Sequence, residues 1–194
     1  MKNFISIISI LSVALLISSC SDTYTPKPHG YFRIAMPETS VKLLDSVYPY
    51  TFEYPAYCII QPDKLSPEEK NWINLIMPNF NGSIHLSYKT ISSSSDLAQY
   101  IEDSRALVMK HIPKASDIQQ IPFADPEQKV YGLAYNISGV NAASPYQFYA
   151  TDSTKHFLRG ALYFNTLPNN DSLAPVIDYV KKDIAHLLNT LKWR

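Results

Sequence analysis

The most specific chemical context in this sequence surrounds Cys20. Ile17-Ser18-Ser19-Cys20 sets an aliphatic residue and two small residues before a cysteine, the pattern of a bacterial lipobox. Small residues let a peptidase approach the backbone, and the Cys20 thiol is the nucleophile that accepts a diacylglycerol. The preceding stretch agrees: Met1-Lys2-Asn3 is a short cationic start, and Phe4 to Ile17 is apolar apart from Ser6, Ser9 and Ser12. That run falls short of the roughly 20 apolar residues a membrane-spanning helix needs and suits a secretion signal. The expected organisation is a cleaved signal over residues 1–19, lipidated Cys20 with a proline-rich tether over 20–30, and one globular domain over 31–194. Only Asp22 is acidic near Cys20, which favours an anchor in the inner or outer membrane facing the periplasm.

Elsewhere the residues that could do chemistry are scattered. Asp152-Ser153-Thr154-Lys155-His156 holds all three residue types of a hydrolytic triad. Triad members normally come from separated elements brought together by the fold, and Asp and Ser hydrogen-bonding their own backbone explain the segment as a turn. His29, His85, His111, His156 and His186 stand singly, with no H-E-x-x-H or C-x-x-C spacing, so no metal site is expected. With Gly 5 in the whole chain there is no phosphate-cradling glycine loop and no G-x-S-x-G, and no cofactor is expected. Cys58 sits in Tyr57-Cys58-Ile59-Ile60, where burial would leave it inert. Acidic pairs at Glu68-Glu69 and Glu102-Asp103 read as solvated charge on helix starts and faces. The reading is therefore a protein that is not an enzyme. The competing reading is a periplasmic hydrolase or small-ligand-binding protein whose site, centred on His156, gathers His85, Tyr88, Asp152 and Arg159 into one deep pocket. His85, Tyr88, Gln147, Asp152, His156 and Arg159 are the residues expected on a partner or ligand surface.

Lys+Arg 17 against Asp+Glu 17 leaves no net charge over 194 residues, which argues against a nucleic-acid partner. A hydrophobic fraction of 46% describes a globular chain. Tyr50 to Ile60 reads as the first substantial strand, with Pro55 at an edge or bulge, and Ser66-Pro67-Glu68-Glu69 has helix-start chemistry. Trp72 to Met77 reads as a strand, a single helical turn being the alternative. It forms a hairpin with alternating Ser83 to Ile91 after the Asn81-Gly82 turn. A helix is expected over about 95–112, capped by Ser95 and ended by Pro113. Strands follow at Val130 to Ile137, Tyr146 to Thr151 and Phe157 to Phe164. A second helix, about 172–192, carries the stripe Leu173, Ile177, Val180, Ile184, Leu187, Leu188 and Leu191, with Asp171 or Ser172 as its cap. The fold class is α+β, an antiparallel sheet packed with two main helices.

Several segments carry a family resemblance: Tyr24 to Ile34, Phe80 to Lys89, Ala143 to Phe148, Thr151 to Ser153 and, most specifically, His156-Phe-Leu-Arg-Gly-Ala-Leu-Tyr-Phe164. They resemble the gliding-motility lipoprotein GldD family of Bacteroidota over essentially the whole chain, with His29 departing from the basic arginine of the tether. The resemblance implies an accessory lipoprotein of the gliding machinery and its associated type IX secretion system, with other envelope proteins as partners and no assigned catalytic residue. The element order is also similar to the Mog1/PsbP-like α+β sandwich, a likeness of fold that transfers no function. Bacteroidota O-glycosylate Asp-Ser motifs, which brings in Ser46, Ser153 and Ser172; turns and caps explain the same residues equally well.

Overall fold

The computed structural model describes residues 34–44 and 47–194. Contacts divide the chain into Met1–Phe32 and Arg33–Arg194. The signal, Cys20, the tether, Tyr31 to Arg33 and Ser46 lie outside the described residues.

The centre of the domain is a seven-stranded sheet, antiparallel throughout, in the spatial order β4-β5-β6-β10-β9-β8-β7. Its strands are β4 (Ile59–Pro62), β5 (Ile73–Met77), β6 (Gly82–Thr90), β7 (Asp117–Asp125), β8 (Val130–Ser138), β9 (Tyr146–Thr151) and β10 (His156–Phe164). Before them come β1 (Val41–Leu43), β2 (Tyr50–Thr51) and β3 (Glu53–Pro55); β1 pairs with β3, and β2 pairs with a terminal strand, β11 (Lys192–Trp193). Two helices complete the domain, α1 (Ser94–Met109) and α2 (Asn170–Thr190). Among the described residues no helix is long and apolar enough to cross a membrane.

Side chains alternate across a strand, and that alternation sorts the core. Ile73, Leu75 and Met77 of β5, Ile84, Leu86 and Tyr88 of β6, Leu158 and Leu162 of β10, and Phe148 of β9 share one face. The apolar stripe of α2 (Val176, Val180, Ile184, Leu187 and Leu188) covers them, together with Tyr50, Phe52 and Cys58. Each such side chain contributes about 1.5–3 kcal/mol on full burial. Tyr48, Tyr50 and Phe52 stack in register along the extended segment, with centroids 5.7 and 5.9 Å apart, and the Tyr50 hydroxyl donates to the Asn71 carbonyl at 2.7 Å. Gly160 lies opposite Phe148, and a Cβ there would meet the Phe148 ring at 2.2 Å. The ring occupies the space above the glycine.

The opposite face carries α1. Ser93 caps it in a reciprocal box with Asp96, so the cap is Ser93 and not Ser95. The helix stops at Met109, before Pro113, which sits in a short 3-10 turn over Ile112–Lys114. A small second core joins Val108 of α1 to Tyr135 and Ile137 of β8 and to Ala142.

Other expectations need correcting. Tyr50 to Ile60 is three short strands, because the chain turns at Ala56-Tyr57 after Pro55. Ser66 to Lys70 forms turns closed by Glu69 N–H on Ser66 and Trp72 N–H on Glu69, with no helix; the polar segment has no apolar stripe to pack. The α2 cap is Asn169, whose side chain accepts from Ser172 N–H, and not Asp171 or Ser172. The helix ends at Thr190, so Lys192 pairs in β11 with Thr51 instead of sitting on a helical C-terminus. β7 was not anticipated: its nine residues are mostly exposed and lack an alternating apolar set.

Candidate functional site

The register divides the candidate residues between two faces of the sheet. Tyr88 lies opposite Leu158 on the face under α2, and His156 falls two residues from Leu158 on the same side. His85 and Gln147 are both opposite Ala161, and Arg159 is opposite Ser87, all on the face of α1. Asp152 is in the turn between β9 and β10. His85, Tyr88, Asp152, His156 and Arg159 therefore do not line one pocket, contrary to the competing reading.

At the sheet end, the Tyr88 hydroxyl and His156 Nδ1 are hydrogen-bonded at 2.8 Å. The imidazole stacks on the Trp193 indole, 5.2 Å between centroids and 9° from parallel. Asp152 Oδ1 accepts the backbone N–H of Thr154, Lys155 and His156 at 3.0, 2.8 and 2.8 Å, and Oδ2 accepts the Thr154 hydroxyl at 2.7 Å. Partial burial pushes this carboxyl up, but the four donors together outweigh it and hold it down at about 2. Asp152 thus serves the turn: it meets the backbone of His156 rather than its ring. Ser153 is exposed, adopts a left-handed conformation at φ 65° and gives its N–H to Thr151 Oγ1. Burial, with Lys155 nearby, lowers the His156 pKa against the pull of Asp152. Burial likewise raises the Tyr88 hydroxyl. These groups make a fixed polar rim.

Across the sheet a second constellation forms. Arg159 Nη2 donates to Gln147 Oε1, and Gln147 Nε2 is hydrogen-bonded to His111 Nε2 at 3.0 Å. Gln147 is buried. Burial lowers the pKa of Arg159 against a hydrogen bond with Tyr163, and burial beside Arg159 lowers that of His111. His85 is hydrogen-bonded to Ser83 at 2.9 Å and stands edge-on to Tyr163 at 5.3 Å. Its pKa is also lowered, first by burial and then by Arg159, against Asp63. A groove of about 480 Å³ opens beside Arg159 between α1, β6 and β10, lined also by Trp72, Lys89, Tyr100, Leu107 and Phe157. His111 and the groove wall escaped sequence reading because they meet only through tertiary packing. The one signal was Arg159 itself, a cation inside an apolar strand.

Cys58 is buried and its thiol is pushed up to about 12 by desolvation, reinforced by Asp183, so it holds no reactive thiolate. Among the described residues no group of three His, Cys, Asp or Glu could hold a metal. Ser172 is exposed in the first turn of α2. Cys20 and Ser46 are outside the described residues.

The profile of a family described as gliding motility lipoprotein GldD matches residues 21–193. No curated protein matches the chain. Among solved structures, that of cyanobacterial PsbP (CyanoP) from Synechocystis sp. PCC 6803 is similar, at 12% identity and a TM-score of 0.47, covering 92% of this chain and 99% of that one.

Proposed function

We propose, from the premise that this chain belongs to the gliding motility lipoprotein GldD family, that it is a membrane-anchored accessory component of a gliding-motility and type IX secretion assembly, non-catalytic and acting through protein contacts. The observation that carries this reading is the family match over residues 21–193, which takes in the described domain up to Trp193. The polar groups support it. Asp152 is committed to a turn, Cys58 is buried, and His85 and His156 lie on opposite faces of the sheet. None is placed as the nucleophile, base and orienting group that acyl transfer needs.

In this reading Cys20 carries the acyl chains. Each buried CH₂ contributes about 0.8 kcal/mol, so two or more chains hold the domain at the membrane. The domain faces the periplasm, in the envelope of a member of the Bacteroidota. Ser153 and Ser172, both exposed, and Ser46 are its sites of O-glycosylation; glycopeptide mass spectrometry finding all three bare would remove that part.

The deciding experiment is crosslinking of the lipidated protein in its native membrane, followed by identification of the chains that co-purify. Gliding or type IX secretion components are expected. Recovery of the protein alone, with crosslinking efficient for a known envelope complex, would overturn the reading.

A further inference from the structure

A half-buried arginine normally faces a carboxylate, because an unpaired charge away from water is costly. Arg159 has no such partner among the described residues. The ion pairs there are Arg105 with Glu102, Lys181 with Asp178 and His186 with Glu53. Gln147 and Tyr163 engage the guanidinium, and neither is a carboxylate. A guanidinium has five N–H donors, more than these two groups take up, and no nitrogen of Arg159 is both buried and without a partner among the described residues. Arg159 also lines the groove beside α1.

The groove has two kinds of wall. Trp72, Tyr100, Leu107 and Phe157 supply apolar surface, while Lys89, Lys110 and Arg159 stand against a single carboxylate, Asp103. Asp103 already accepts from Gln99 Nε2 at 2.7 Å, and Lys89 Nζ rides over the Tyr100 ring at 4.9 Å. The groove thus has a guanidinium in its wall, two further cations at Lys89 and Lys110 and an aromatic flank. Its volume of about 480 Å³ falls within the range of small-molecule sites.

We propose that the α1–β10 groove binds a small amphipathic carboxylate, its carboxylate forked on Arg159 and its aromatic or aliphatic body lying against Tyr100, Leu107 and Phe157. Gln147 and His111 are the positioning residues: the amide accepts from Nη2 and holds the guanidinium plane, and the imidazole orients the amide. The free acid is preferred to a partner's chain terminus because helix and sheet wall the groove at a scale suited to one small body.

The test is calorimetric titration of the lipidated protein in lipid nanodiscs with 4-methylbenzoate and with neutral 4-methylbenzamide, empty nanodiscs serving as the blank. The carboxylate is expected to bind saturably and the amide at least about tenfold more weakly, the loss that follows from removing a charge-assisted fork. Arg159→Gln should weaken the carboxylate about tenfold or more, and Arg159→Lys by less. Because Arg159 is partly buried, exposed Ala106→Trp, which fills the groove from α1, gives an independent arm and should abolish binding. Lys89→Gln on the rim should weaken it severalfold. Equal binding of acid and amide, binding that survives Ala106→Trp, or no saturable heat would each overturn the proposal. So would acetyl-Ala-Leu-Phe binding where 4-methylbenzoate fails, which would make the groove a peptide site.

Discussion

The two faces of the central sheet are built to different standards. Under α2, apolar side chains from β5, β6, β9 and β10 meet an unbroken helical stripe, and Ile73, Leu75, Leu158, Leu162 and Ile184 are fully buried. On the other face α1 reaches β9 and β10, and the second core is small. Toward β4 and β5 that face carries half-exposed Asn74, Ile76 and His85, with an orphaned acceptor at Asn74 Oδ1. One face carries most of the buried apolar packing, while the other keeps half-exposed polar side chains. Arg159 and Leu158, adjacent in sequence, show the division within a single strand.

Stability measurements can break that contrast. Ile184→Ala should cost about 3 kcal/mol through lost transfer and a residual cavity, whereas Ile76→Ala should cost about 1 kcal/mol or less. Urea denaturation with an unchanged slope measures both; equal losses would mean the α1 face is as tightly packed as the α2 face.

Gly160→Ala sharpens the picture of the sealed face. Its Cβ must displace the Phe148 ring, at about 2 kcal/mol. Adding Phe148→Leu should recover part of that loss, so the double-mutant cycle should give a clear coupling. Additive losses would show that the ring above Gly160 is not the cause.

The rim between the faces should respond to acid. The folded carboxyl of Asp152 is held at about 2, below its unfolded value near 4. Its contribution is therefore complete above about pH 5 and disappears as pH falls from there through 2. Solvent screening at this partly exposed group limits it to about 1 kcal/mol or less. Melting curves of Asp152→Asn should be correspondingly less steep in pH between 5 and 2 than those of the parent. The smallest effect concerns Cys58: in a Cys20→Ser chain, iodoacetamide should leave the native protein unlabelled and react only after denaturant is added. Labelling of the native fold would show that the sealed face opens.

Much of this arrangement is written in local patterns. The α2 stripe from Ile177 to Leu191 was legible because a period of 3.6 with six apolar positions fits few structures other than a packed helix, and the buried residues match it. The β5–β6 hairpin was legible from Asn81-Gly82 and the alternation that follows. β7 was not, since an edge strand with both sides wet keeps no apolar alternation; Asp117, Gln119 and Gln120 carry no strand pattern of their own and are ordered by pairing with β8. The site was less legible still. Strand periodicity implies that Tyr88 and Arg159 take opposite faces once the β6–β10 register is known, but register is a tertiary fact. His111, Gln147 and Arg159 come from three elements, and no spacing announces them.

The stitching of β2 to β11 bears on when this domain can form. Tyr50 and Thr51 find their strand partners in Trp193 and Lys192, Glu53 N–H donates to Thr190 Oγ1 at 3.0 Å, and Arg194 N–H donates to Pro49. β2 thus waits for residues about 140 positions later in the chain, a pairing that forms slowly because distant segments must meet first. During synthesis β2 has no strand partner until Lys192 and Trp193 have emerged, whereas β1 pairs with the nearby β3. The β2–β11 pairing is thus the closure the chain can make only at its very end.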